Sequence, residues 1–288
     1  MDIDVRAARL EDRAEIAGFT TGTFPWGDYV ADEFETWLAD DSGVVLVGEV
    51  EGRVVGVARV ALVSPTEAWS QGARVHPDFR RRGVGTAIAA ALHDWAVGRG
   101  AHVVRLAVED WNRPARAQVA ALGFRPVSEW MFATRGVGEN SPVPEGNGGR
   151  RVMAPEGIRP APSAEAEPAL LAWASGPLER AARGLFSVGW RWRRLTRADV
   201  VEAARRRALW EGRPGWAIAD VDEEAFRVSW VVTAEDDAPA MVRALVDRAA
   251  AAGVERLVVM APAIDWMRRA VQQRGCEVNR LTVYALPL

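Results

Sequence analysis

Lysine is absent from this chain: all 36 of its basic residues are arginine. No side chain can therefore form a Schiff base through an ε-amine, and no Gly-Lys-Ser/Thr phosphate loop can exist. Cysteine occurs once, at Cys276, which excludes an intramolecular disulfide and a thiolate metal cluster. The three histidines, His76, His93 and His102, have no metal-ligand spacing, so no metal is expected. No apolar run reaches the roughly 20 residues of a membrane helix. The N-terminus, MDIDVRAARLEDR, is acidic and lacks a signal-peptide core. These absences lead to the expectation of a cytoplasmic protein with no membrane partner.

What is present suits a globular chain. Its 288 residues are 49% apolar and 26% charged, enough for one large domain or two ordinary ones. The formal charge of −3 gives the whole molecule no reason to seek nucleic acid. Arginine clusters, including the RWRRLTR run at Arg191–Arg197 that sets a tryptophan among arginines, favour such a partner, but no nucleic acid is expected.

The chain also keeps time with itself. Val5 and Ile158 each open a short strand followed by an acidic helix start, and Gly100 and Gly253 each stop a helix before a buried strand. Gly123 and Gly275 close a further matching pair of helices. The offset is 153 residues at the first two landmarks and 152 at the third. Such constancy predicts two tandem copies of one domain, over 1–135 and 156–288, with a Gly- and Pro-rich linker at 136–155. Within the first copy, Val44–Val63 reads as a hairpin turned at Glu51-Gly52-Arg53. Ala68–Val75 reads as a strand, and the stripe Ile88, Ala91, Leu92, Trp95 and Ala96 as a helix. The result is an α/β (α+β) chain.

Between that strand and that helix lies HPDFRRRGVGTA, from His76 to Ala87. A helix start leaves its first N–H groups unpaired at the positive end of the helix dipole. Gly83 and Gly85 let backbone approach an anion closely, and Arg80, Arg81 and Arg82 add charge at the same place. That chemistry suits a pyrophosphate.

The spacing Arg80-x-x-Gly83-x-Gly85, followed downstream by Asn112 and by Gly123-Phe124, resembles the acetyl-CoA segment of the GNAT N-acetyltransferase superfamily. The resemblance covers roughly Val5 to Arg135. It implies a mixed twisted sheet flanked by helices, in two tandem GNAT-type domains. It implies that Arg80, Arg81, Arg82, Gly83, Val84, Gly85 and Thr86 hold the pyrophosphate and that Asn112 touches the pantetheine arm. Val75 would lie along the cofactor and turn its backbone N–H toward the thioester oxygen. The reaction implied is direct attack of a primary amine on acetyl-CoA, in a ternary complex and without a metal.

The sequence departs from that pattern in three places. The helix position seven residues after Asn112, often a tyrosine that protonates the leaving thiolate, is Val119. The strand before the turn carries no carboxylate, which makes Glu67 the nearest candidate general base, with Glu109 and Asp110 behind it. The second copy replaces the arginine–glycine turn by Glu235, Asp236 and Asp237, which would repel a pyrophosphate and suit helix caps instead. It is expected to be a degenerate copy with a structural or acceptor-site role, making the chain a monomeric pseudo-dimer or a homodimer. Phe24, Trp26, Asp28 and Tyr29 are candidates to line the pocket for a small-molecule or peptide amine. The alternative reading is an acyl-CoA-binding sensor or interaction module without turnover.

Overall fold

The computed structural model describes residues 1–24, 27–137 and 157–288. Trp26 and the expected linker beyond Val137 lie outside the described residues. The chain falls into two compact units. The first comprises Met1–Ala107, Arg113–Pro126 and Tyr284–Leu288, and the second Val108–Asn112 and Val127–Val283.

The N-terminal half runs β1 (Asp4–Ala7), α1 (Arg13–Thr20), α2 (Val30–Leu38), β2 (Gly43–Val50), β3 (Arg53–Ser64) and β4 (Glu67–Val75). It continues through α3 (Val84–Gly98), β5 (Val103–Glu109), α4 (Arg113–Ala121) and β6 (Arg125–Gly136). The first unit orders its strands β1–β2–β3–β4–β5, antiparallel throughout except that β5 lies parallel to β4. The β2–β3 turn falls at Glu51 and Gly52, with φ of 51° and 76°, the two left-handed residues that a tight hairpin turn requires. On one face α1 and α2 pack Ile16, Phe19, Val30, Phe34 and Trp37 against Val45, Val47 and Val57. On the other, Val84 and Ile88 of α3 press onto the glycines of β2 and β3. His93 of α3 is half-buried, the Phe124 ring lying 5.7 Å from its own.

β4 carries the feature that matters most. Its register on β3 passes from Arg59↔Gln71 to Val57↔Arg74, so Gly72 and Ala73 together oppose one residue of β3. This is a β-bulge. Gly72 sits at φ 70°, and a Cβ on it would lie 2.6 Å from Cη2 of Trp37. Before the bulge, Glu67, Ala68 and Trp69 pair with Val103, Val104 and Arg105 of β5. Past Trp69 that pairing ends, and β4 continues to Val75 with its β5-side edge open.

The second unit draws on β7 (Arg159–Pro160), α5 (Ala166–Ser175), α6 (Pro177–Ala182), β8 (Leu185–Val188), β9 (Arg191–Arg194) and α7 (Arg197–Arg205). After these come β10 (Leu209–Gly212), β11 (Gly215–Val221), β12 (Ala225–Val232), α8 (Ala238–Ala251), β13 (Arg256–Pro262), α9 (Asp265–Gln272) and β14 (Glu277–Pro287). Its strand order is β14–β6–β13–β12–β11–β10–β7, with β8 and β9 as a separate hairpin. The plan of the first unit recurs. β12 bulges at Ser229, and its parallel pairing with β13 stops at Val228↔Val259. Within the RWRRLTR run, Trp192 is core, Arg193 grips Asp199 and Arg197 pairs with Glu167, so the segment is structural cladding at these positions.

Two outcomes are expected. Gly72→Ala adds both a left-handed strain and an overlap with Trp37, and lowers stability by about 2–4 kcal/mol, read as a fall in the urea midpoint. Cys276 is buried, and desolvation pushes its thiol up to about 11 from 9.0. At pH 8 iodoacetamide therefore alkylates the native chain about 100-fold more slowly than the urea-unfolded one, as followed by intact mass.

Candidate active site

The open edge of β4 leads directly into the arginine turn. His76 donates its N–H to Val55 of β3 at 2.8 Å. Successive strand residues turn their N–H groups to opposite edges, so that of Val75 faces away from β3, toward the open edge. The His76 ring closes the next turn, its Nδ1 accepting the Asp78 N–H at 3.2 Å. That bond places the ring proton of the neutral form on Nε2 and leaves Nδ1 no free lone pair for base catalysis. Arg80 folds back, its Nε donating to the Val75 carbonyl at 3.2 Å.

Beyond Arg80 the backbone turns sharply. Arg81 stands at φ 61° and Gly83, the residue before α3, at φ 90°. Among the described residues, the N–H groups of Arg81, Arg82, Gly83, Val84, Gly85 and Thr86 donate to no protein acceptor. The first intrahelical bond is Ala87 N–H to the Gly83 carbonyl at 2.9 Å. The side chains of Arg80, Arg81 and Arg82 are exposed, and none pairs with a described carboxylate. No acidic residue stands in the first turn of α3. Donors and positive charge thus converge without an internal counter-charge, which is the composition of an anion cradle. A Cβ on Gly85 would come within 2.9 Å of the Gln118 amide of α4, so the glycine also keeps α3 and α4 close at this mouth.

Val75 shares its face of the sheet with Gly56, the α3 side, whereas Arg74 pairs with Val57 and faces α1 and α2. There Arg74 meets three of the residues that the sequence singled out. Its Nε and Nη2 hold the Asp28 carboxylate at 2.6 and 3.2 Å, and Asp28 is almost wholly buried. The rings of Phe24 and Tyr29 lie 5.1 and 5.6 Å from its guanidinium carbon, the cation–π range. Asp28 also accepts the Val30 N–H at 3.1 Å and so caps α2. Burial raises the pKa of the Tyr29 phenol, against the opposing pull of Arg74.

The other predicted residues are placed elsewhere. Glu67 opens β4, eight residues before Val75, roughly 25 Å along the strand. Its buried carboxylate takes Arg105 at 2.5 Å and the Ser64 hydroxyl at 3.1 Å. Asn112 belongs to the second unit, where its N–H caps β5 on the Glu109 carbonyl at 2.9 Å. Burial raises the pKa of Glu109, while Asp110 is held by Arg280 at 3.4 Å and Thr282 at 3.1 Å. Val119 is buried on α4. The sequence did not reveal that Tyr284 joins the first unit, its hydroxyl accepting from Arg116 of α4 at 3.2 Å.

The corresponding turn of the second unit is chemically different. Ala238 and Met241 donate into it, Pro239 lacks an N–H, and Glu235 reaches Arg269 at 3.6 Å. Asp237 precedes α8 in a helical conformation and makes no side-chain cap, so the expected carboxylate capping is absent there. In the second unit the residue just past the bulge, Trp230, is buried against Trp173 at 5.4 Å.

A family model for the acetyltransferase (GNAT) family matches residues 10–124, from α1 through α4. The mycothiol acetyltransferase of Mycobacterium sp. (strain JLS) is 33% identical over 156 residues, which is 51% of this chain and 50% of that protein. The chain thus spans about half the length of the curated relatives it matches. In fold it is similar to a GCN5-related N-acetyltransferase from Sphaerobacter thermophilus, with a TM-score of 0.64 and 16% identity over 99% of this chain and 95% of that one. It is also similar to a tandem GNAT protein from the clavulanic acid biosynthesis pathway, with a TM-score of 0.54 and 16% identity over 99% and 98%. The bulged strand, the open edge and the glycine turn that begins α3 all fall inside the segment, residues 10–124, that matches the acetyltransferase (GNAT) family model.

Proposed function

We propose that this chain transfers the acetyl group of acetyl-CoA to an amine, with the cofactor held by the first unit. The observation that carries the reading is the run of unpaired N–H groups from Arg81 to Thr86 beneath three uncompensated arginines. The pyrophosphate accepts these N–H bonds, and the arginines neutralise the phosphates. Pantetheine lies along β4 past the bulge, taking the strand-like hydrogen bonds that β5 does not make there. The Val75 N–H meets the acyl oxygen, where negative charge grows as the amine attacks. In that step a C–N bond forms, the C–S bond breaks, and the amine gives up a proton. The thiolate that leaves is far less basic than an alkoxide and needs only modest help. Tyr284 is the phenol that the first unit sets beside α4, and because its oxygen accepts from Arg116, its proton is free to be donated.

Glu67 does not serve as base in this scheme, because its carboxylate is engaged inside the sheet at the far end of β4. The second unit keeps the fold without the cradle, and we assign it no acetyl-CoA.

Calorimetric titration of acetyl-CoA into the whole chain should give one site per chain. The triple variant Arg80→Ala/Arg81→Ala/Arg82→Ala changes exposed side chains only and should weaken binding about 10- to 100-fold while the chain stays folded. Unchanged affinity would remove the cradle from the mechanism. Tyr284→Phe should lower kcat about tenfold with acetyl-CoA affinity intact. Equal kcat would leave proton delivery to solvent.

A further inference from the structure

The bulge of β4 brings together a second set of groups, on the α1–α2 face, whose hydrogen-bonding is unbalanced. Asp28 has both oxygens engaged: Oδ1 by Arg74 and the Val30 N–H, Oδ2 by Arg74. A guanidinium has five N–H donors. Arg74 commits Nε and one hydrogen of Nη2 to Asp28, and one hydrogen of Nη1 to the Ala73 carbonyl at 3.0 Å. One hydrogen on each terminal nitrogen remains. The Tyr29 ring flanks the same guanidinium at 5.6 Å, and its hydroxyl can donate as well as accept. Among the described residues, the polar hydrogens left uncommitted at this place are those of Arg74, with the Tyr29 hydroxyl able to donate beside them.

The group they suit is a carboxylate. Arg74 cannot swing away to seek one, since Asp28 grips it from below and Phe24 and Tyr29 flank it. It is preorganised as a fork. It also stands one residue from Val75, on the opposite face of the same strand. From these residues we infer that Arg74 and Tyr29 form the subsite that selects the acceptor, and that the acceptor is an amine bearing a carboxylate, such as a free amino acid. This inference rests on the acetyl-transfer reading for its chemistry, but the subsite itself does not. Asp28 is not left to attract a cationic amine, because Arg74 already neutralises that carboxylate.

The test compares amino acids with their decarboxylated counterparts: leucine with isoamylamine, and phenylalanine with phenethylamine. Acetylation by the full chain should favour the carboxylate member in kcat/KM by about 10- to 100-fold, as one charge-assisted contact provides. Tyr29→Phe, which removes a single hydroxyl, should cut that preference several-fold. Arg74→Lys, which keeps the charge but not the fork, should nearly abolish it. Equal kcat/KM for both members, or a preference that survives both variants, would overturn the proposal. Calorimetry on the coenzyme A complex separates this from failure of the transferase reading. If no amine is acetylated but the amino acids still bind more tightly than the amines and Tyr29→Phe weakens them, the subsite stands and the transferase does not. If neither member binds nor reacts, the subsite falls.

Discussion

Everything at the candidate site depends on one strand being unable to lie flat. Gly72 takes a left-handed turn above the Trp37 ring, with no room for a Cβ between them. The extra residue this inserts bends β4, and its parallel ladder with β5 stops three pairs in. A sheet interior normally pairs every N–H and carbonyl. Here a length of strand edge inside a folded unit is left open, and such an edge needs an occupant. The cradle at the start of α3 lies at the end of that edge. The Val75 N–H on the strand edge and, beyond the short turn at 76–80, the N–H groups from Arg81 through Thr86 are donors that no described protein group fills.

The second unit shows what the same plan becomes when the donors are withdrawn. Its strand bulges too, and its parallel ladder also stops short. But Trp230, the residue just past its bulge, is buried, and the start of α8 carries carboxylates and a proline. Shape is shared between the two units, while charge and hydrogen-bond supply are not. A fold is thus separable from the chemistry mounted on it.

Much of this was legible in the residues, and for definite reasons. Turns and helix stops are local: Gly52, Gly100, Gly123, Gly253 and Gly275 all stand at positive φ, as their positions in the pattern required. The anion turn was legible because its glycines, arginines and following helix are neighbours in sequence. The bulge had a faint signal, a glycine inside a strand, which passed unread. Side-chain partners were not legible. Asp28 meets Arg74 across 46 residues, Glu67 meets Arg105 across 38, and Arg116 meets Tyr284 across 168. Periodicity places each of these on a face, yet only the folded sheet decides which opposite charge it finds. For that reason Asp28 looked like a free carboxylate and Glu67 like an available base.

The first unit includes Tyr284–Leu288, where the Leu288 N–H reaches the His102 carbonyl at 3.0 Å and Tyr284 meets α4. As the ribosome extends the chain, the fragment that has already formed the cradle still lacks that strip. Its completion waits on synthesis of more than a hundred further residues, about ten seconds or longer at bacterial rates. Such late closure carries a high contact order and predicts slow maturation. The first unit would then be complete only after Tyr284–Leu288 have been synthesised, so that translation itself sets when it can finish folding.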